Sequence, residues 1–121
     1  MRTRKERGSA SVLALAAAGV VLVLVVAILE AAAAYRARHT AASAADLAAL
    51  AASRAVESGQ DGCAAAEDVA RRNGADVVDC RLDAAVATVR TEVHSDRWWG
   101  GGWSVEQKAR AAPTSYLEEG S

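Results

Sequence analysis

A chain of 121 residues that gives one long apolar run to a membrane has room for one small further domain and no more. Its net charge of -1 and pI near 6.1, with the leading basic cluster held within seven positions, exclude the electrostatic footprint of a nucleic-acid binder. Hydrophobic residues make up 52% of the chain, but much of that is alanine and phenylalanine is absent. Since alanine buries little area, whereas a fully buried Val or Leu contributes about 1.5 to 3 kcal/mol, the head must have a thin core.

The polar tip MRTRKERG carries Arg2, Arg4, Lys5 and Arg7 and is expected to lack ordered structure of its own. Ser9 to Leu29 then runs without a charged residue, long enough as a helix to cross roughly 30 Å of hydrocarbon. The expected membrane helix covers residues 9–33. Basic residues before it outweigh Arg36 and Arg38 after it, which places the N-terminus in the cytoplasm and the rest outside the cell. A cleaved signal peptide, with its cut near Ala31 to Ala34, is the competing reading, although its apolar core usually spans about 7 to 15 residues. A buried helix of a soluble protein is the third, and the remaining chain is too short and too polar to wrap it.

Glu30 to Glu57 contains no Pro or Gly and is rich in alanine, so the helix is expected to continue outside the membrane over residues 34–58, to a length of roughly 70 Å. Glu30 falls at the outer edge of the span and Tyr35 at the interface. Ala10, Ala14 and Ala18, with Gly19 beside them, line one face of the span with small side chains. Ala44, Ala48 and Ala52 repeat that spacing outside it, and such faces let a second helix approach closely. In a chain so rich in alanine the pattern also arises from composition alone. Leu47 and Leu50, the large apolar residues of the stalk, are the expected docking point for the globular part or for a neighbouring subunit.

A small head is expected over residues 59–112. SGQDG, residues 58–62, reads as a loop, and a second helix fits Cys63 to Asn73. Asp61 caps it, Glu67 and Asp68 stand four residues before Arg71 and Arg72, and Asn73-Gly74 stops it. Its apolar face is Cys63, Ala66, Val69 and Ala70. The period then changes to two: Val78, Cys80 and Leu82 point one way, followed by Ala87, Val89, Thr91 and Val93, then by Trp103, Val105, Ala109 and Ala111. Three antiparallel strands follow, with one apolar face on the second helix or the stalk and a charged face toward water. The fold class is α+β. Cys63 and Cys80 lie beyond the span, where thiols tend to be oxidised, and a disulfide would pin the second helix to the first strand. A metal pair is the alternative, with only His39 and His94 as further ligands and without zinc-site spacing.

The connection SDRWWGGGW places Trp98, Trp99 and Trp103 around three consecutive glycines, whose backbone is free to take positive φ. These rings either cover the sheet edge or contact a protein, a glycan or the membrane surface. The tail from Pro113 is expected to be disordered. No nucleophile elbow, phosphate loop or carboxylate cluster marks the sequence, and Cys80 with His94 lacks a third orienting group. The expectation is a non-catalytic protein with no cofactor, no metal, no nucleic-acid partner and no small-molecule substrate, which acts by assembly or binding.

Two stretches together carry a family resemblance. RGSASVLALAAAGVVLVLVVA, from Arg7 to Ala27, is similar to the basic-Gly-Ser-Ala entry into a membrane helix of TadE/TadG-like proteins of the tight-adherence (Flp-type) pilus system. AASAADLAALAAS, from Ala41 to Ser53, resembles the alanine-rich helix that the family places just outside the membrane. The spacing of Cys63, Asn73-Gly74 and Cys80 resembles the short high-GC Gram-positive branch. The resemblance implies a single-pass, pseudopilin-like membrane protein with Tad assembly subunits as partners, and a processing site between Gly8 and Ser9. Leu13 stands where typical pseudopilins carry a glutamate five residues after the cut. A membrane-resident accessory factor therefore stands beside a minor pilin, and the alternative from a different class is a secreted, disulfide-bonded binding protein.

Overall fold

The structure is a computed structural model that describes residues 2–97 and 100–114, with side chains from Gly8 onward. Its order is α1 (Arg2–Glu57), α2 (Gly62–Arg72), β1 (Asp76–Asp83), β2 (Val86–Asp96) and β3 (Gly102–Ala111). The expected α+β class is observed, with an antiparallel sheet in the order β1-β2-β3. Helix α1 begins at Arg2 rather than at Ser9, so the basic tip is helical. The chain forms two compact units, Met1–Ala34 and Tyr35–Ser121.

In the first unit the apolar side chains are exposed: Leu13, Leu15, Val20, Leu22, Val23 and Ile28 each show more than half of their surface. A helix that is apolar all round and unburied needs an apolar solvent.

The second unit is built on alanine. Ala41, Ala44, Ala45, Ala48, Ala49 and Ala52 of α1 are fully buried, spaced at three and four residues so that they share one helix face. Against them lie Ala66 and Ala70 of α2 and Ala87, Val89, Ala109 and Ala111 of the sheet, with Val77, Cys80 and Leu82 packed around. The largest fully buried side chains are Val89 and Thr91. A core of methyl groups lets backbones come close, and the short reach of each contact is offset by their number.

Two hydrogen bonds fix how the stalk lies on the sheet. Thr91 Oγ1 donates to the Ala41 carbonyl at 2.6 Å, and Ser53 Oγ donates to the Ala85 carbonyl at 2.7 Å. Twelve helical residues rise about 18 Å and six strand residues about 20 Å, so the two bonds lie at matching ends of parallel rods. The order of contacts makes α1 antiparallel to β2, and therefore codirectional with β1 and β3. Every buried side-chain N or O among the described residues has a partner.

Leu47 and Leu50 do not provide the docking point for the head: they are 42% and 44% exposed while their alanine neighbours are buried. Their branched side chains would hold the sheet too far away. Val78 also departs from the expected alternation. The β1–β2 register slips between Val77 and Asp79, a bulge that turns Val78 outward and puts Val77 on the core.

Helix α2 starts one residue earlier than expected because Gly62 is drawn into the helix crossing. A Cβ there would stand 2.8 Å from Val56 Cγ2, 2.9 Å from the Ala52 carbonyl oxygen and 3.0 Å from Leu82 Cδ1. Asp61 caps the helix by accepting from the Ala64 N–H at 3.1 Å. Its end is closed by Asn73, whose side chain donates to the Val69 carbonyl, and by Gly74 at φ 79°. Of the two expected i,i+4 pairs, the structure holds Asp68–Arg72 at 3.0 Å.

Candidate assembly surfaces

The first surface is the exposed span. Val12 through Leu29 presents apolar side chains in every direction, and α1 is long and apolar enough to cross a membrane by length and composition. Gly19 makes a shallow notch on it, walled by Ala16, Val20, Val23 and Leu24. A Cβ at Gly19 would meet nothing within 4 Å in the chain itself. Ala10, Ala14 and Ala18 lie along the same helix, exposed, and Gly8 and Ser9 stand where its charge-free run begins, beside Val12, Leu13 and Ala16.

The second surface is the stalk. Its face of small residues outside the span is occupied by the chain's own sheet and second helix, so Ala44, Ala48 and Ala52 are not available to a neighbour. What remains outward is the opposite face, with Leu47, Leu50 and, nearer the span, Tyr35 stacked on His39 at 6.5 Å between ring centroids.

The third surface is the outer face of the sheet. Arg90 on the central strand reaches Asp79 at 3.4 Å on one side and Glu106 at 3.8 Å on the other. Arg81, Lys108 and Arg110 add positive charge around Thr88, with Asp83 at the end of the row. The Arg90 pairs are solvent-exposed, each worth at most about 1 kcal/mol, so this is a solvated, charged face. Among the described residues no three His, Cys, Asp or Glu side chains converge to hold a metal.

Cys63 and Cys80 are bonded to each other, with Cα atoms 5.9 Å apart, and so join the first turn of α2 to the middle of β1. Cys80 is therefore no thiol for His94, whose Nε2 lies 3.5 Å from Glu92 Oε2. Trp103 is half-buried on β3 opposite Ser95. Trp98 and Trp99 lie outside the described residues, as does most of the tail. The hairpin that carries them closes by Arg97 N–H to the Gly101 carbonyl, and Gly100 and Gly101 take φ of 98° and 80°. Those angles give the glycines their place.

Sequence reasoning missed Gly62, Ser53 and Thr91 as organising residues. Gly62 had composition signals only for a loop, and the two hydroxyls had no local signal, since their acceptors lie 32 and 50 residues away.

Comparison with known proteins gives a single kind of answer. Neither the curated proteins nor the solved structures provide a match. The family model for TadE/G-like Flp pilus-assembly proteins matches residues 8–70, which takes in the exposed span, the alanine stalk and most of α2 and covers just over half of the chain. An unburied apolar helix leading into an alanine-cored head is thus the architecture of a member of the TadE/G-like family of Flp pilus-assembly proteins, to which this chain belongs.

Proposed function

We propose that this protein is a non-catalytic subunit of Tad-type pilus assembly or secretion, a minor pilin or resident accessory factor, of the short high-GC Gram-positive branch. The observation that carries the reading is the family match over residues 8–70 on a helix whose apolar stretch is unburied. In this reading the basic tip stays in the cytoplasm, the span crosses the membrane once and the disulfide-bonded head stands outside. The open notch at Gly19 and the free face of Ala10, Ala14 and Ala18 supply close helix contacts with other Tad subunits, with Trp98, Trp99 and Trp103 a further contact point. Processing, where it occurs, cuts between Gly8 and Ser9. Leu13 in place of a glutamate leaves the new amine without a buried partner, which sets the accessory role level with incorporation along a fibre.

A second reading draws on the boundary between the two units at Ala34 and Tyr35. It coincides with the run Ala31 to Ala34, so cleavage there would release a head that keeps its whole alanine core, a secreted binding protein.

The test has two parts. Replacing Ala14 and Ala18 with Leu is expected to reduce co-purification with Tad subunits from membranes, and unchanged recovery counts against the helix-packing role. Intact masses of membrane and culture-fluid forms separate the fates: loss of residues 1–8 marks pilin-type processing, a full-length membrane form marks the accessory factor, and a soluble form beginning near Ala34 replaces both with the secreted reading.

A further inference from the structure

Among the described residues, strand β3 is an edge of the sheet with no strand on its outer side. It is ten residues long, paired on one side with β2 in unbroken register from Ala87↔Ala111 to Asp96↔Gly102. The other edge is blunted, since β1 carries the bulge at Val78 and the disulfide to α2. On β3 no bulge interrupts Gly102–Ala111, and the first proline, Pro113, lies beyond its end. A long regular edge offers its outward N–H and C=O groups to another strand.

The side chains say which strand. On β3 the even-numbered residues Ser104, Glu106, Lys108 and Arg110 face water, and the odd-numbered Trp103, Val105, Gln107, Ala109 and Ala111 turn toward the core side. Two copies of β3 placed antiparallel about a two-fold axis at Gln107 put Glu106 opposite the second copy's Lys108, and do so twice. Val105 then faces Ala109, Trp103 faces Ala111, Ser104 faces Arg110, and the two Gln107 amides meet at the centre. Opposite charges meet on the solvent face, pairs that stabilise a cross-strand ladder, and on the other face Val105 and Trp103 meet alanines without a steric conflict. The neighbouring two-fold registers fail: a two-fold at Glu106 sets Glu106 against Glu106, and one at Lys108 sets Lys108 against Lys108.

We propose that β3 is a homotypic contact edge, joining two copies of this chain into a continuous six-stranded sheet centred on Gln107. Because the Ala41–Ser53 stretch of α1 runs along the strands, the two-fold also reverses it, and the Tyr35 ends leave the pair in opposite directions. The contact suits chains that approach head to head rather than side by side. It does not depend on the role in pilus assembly.

The test uses the full chain in detergent micelles at low ionic strength, with self-association read by sedimentation equilibrium. Glu106→Lys makes both charged pairs Lys against Lys, and Lys108→Glu makes both Glu against Glu. Each variant alone is expected to self-associate roughly tenfold or more weakly than the native chain. Mixed together they restore both pairs, and a heterodimer as tight as the native pair is expected. Both positions are exposed, so circular dichroism of each variant should match the native chain. A Gln107→Cys chain adds a register check, since its two Cα atoms stand about 5 Å apart at the axis and the thiols should link under mild oxidation, whereas Val105→Cys should not. A native chain that stays monomeric, or variants that associate equally well alone and mixed, would overturn the proposal and leave the edge to a strand of another protein.

Discussion

Gly62→Ala is the substitution that most sharply examines how the head is built. The added methyl would fall 2.8 Å from Val56 Cγ2, 2.9 Å from the Ala52 carbonyl oxygen and 3.0 Å from Leu82 Cδ1. Val56 and Leu82 have rotamers to spare, but the Ala52 oxygen is helix backbone and cannot withdraw without unwinding α1. Helix α2 must then move away from α1, and the Cys63–Cys80 bond ties that movement to β1. Overpacking of this kind costs about 1 to 3 kcal/mol, and the backbone contact places Gly62 at the upper end, near 2 to 3 kcal/mol. With a urea slope of about 1.5 kcal/mol/M for a head of this size, the unfolding midpoint should fall by roughly 1 to 2 M. The assay is urea unfolding of the oxidised full chain in micelles, followed by tryptophan fluorescence, which reports the head because all three tryptophans lie beyond β1. A change below about 0.5 kcal/mol would refute the close crossing, because ordinary surface substitutions stay within that range.

Thr91→Val removes the hydroxyl bonded to the Ala41 carbonyl in the centre of the core and should cost about 1 kcal/mol in the same urea titration. Ala84→Gly should stabilise by about 0.5 to 1 kcal/mol, since Ala84 holds φ at 54° in the two-residue turn between Asp83 and Val86; an unchanged or lower thermal midpoint would contradict that. Replacing Cys63 and Cys80 together with serine opens a loop closed across 17 residues and should cost about 3 kcal/mol, measured by comparing thermal unfolding of the variant with that of the oxidised chain.

Where local chemistry decides structure, the sequence was a sufficient guide. The charge-free run, the Asp61 cap, the Asn73-Gly74 stop and the alternation in β2 and β3 each have a cause within a few residues, and each is found in place. The expected Cys63–Cys80 bond is also found in place. Departures come from distant contacts. Nothing within Asp76-Val77-Val78-Asp79 tells which valine faces inward, because the choice is made by pairing with Thr91 and Arg90 across the strand. Hydrophobic size pointed to Leu47 and Leu50 as the docking residues, whereas close approach of backbone to backbone selects alanine. The turn at Ala84-Ala85 carries no Gly or Asn signal; the Ala85 carbonyl accepts from Ser53, 32 residues earlier.

The stalk portion of α1 is part of the core of the head rather than a free rod. Hydrogen exchange on the full chain in micelles measures this directly. Amides of Ala44 to Ala52 should exchange as slowly as those of Val86 to Thr91, and both sets should lose protection together as urea approaches the head's unfolding midpoint. A stalk that exchanges orders of magnitude faster than a protected sheet would contradict the account, because an alanine-rich helix with no partner frays in water.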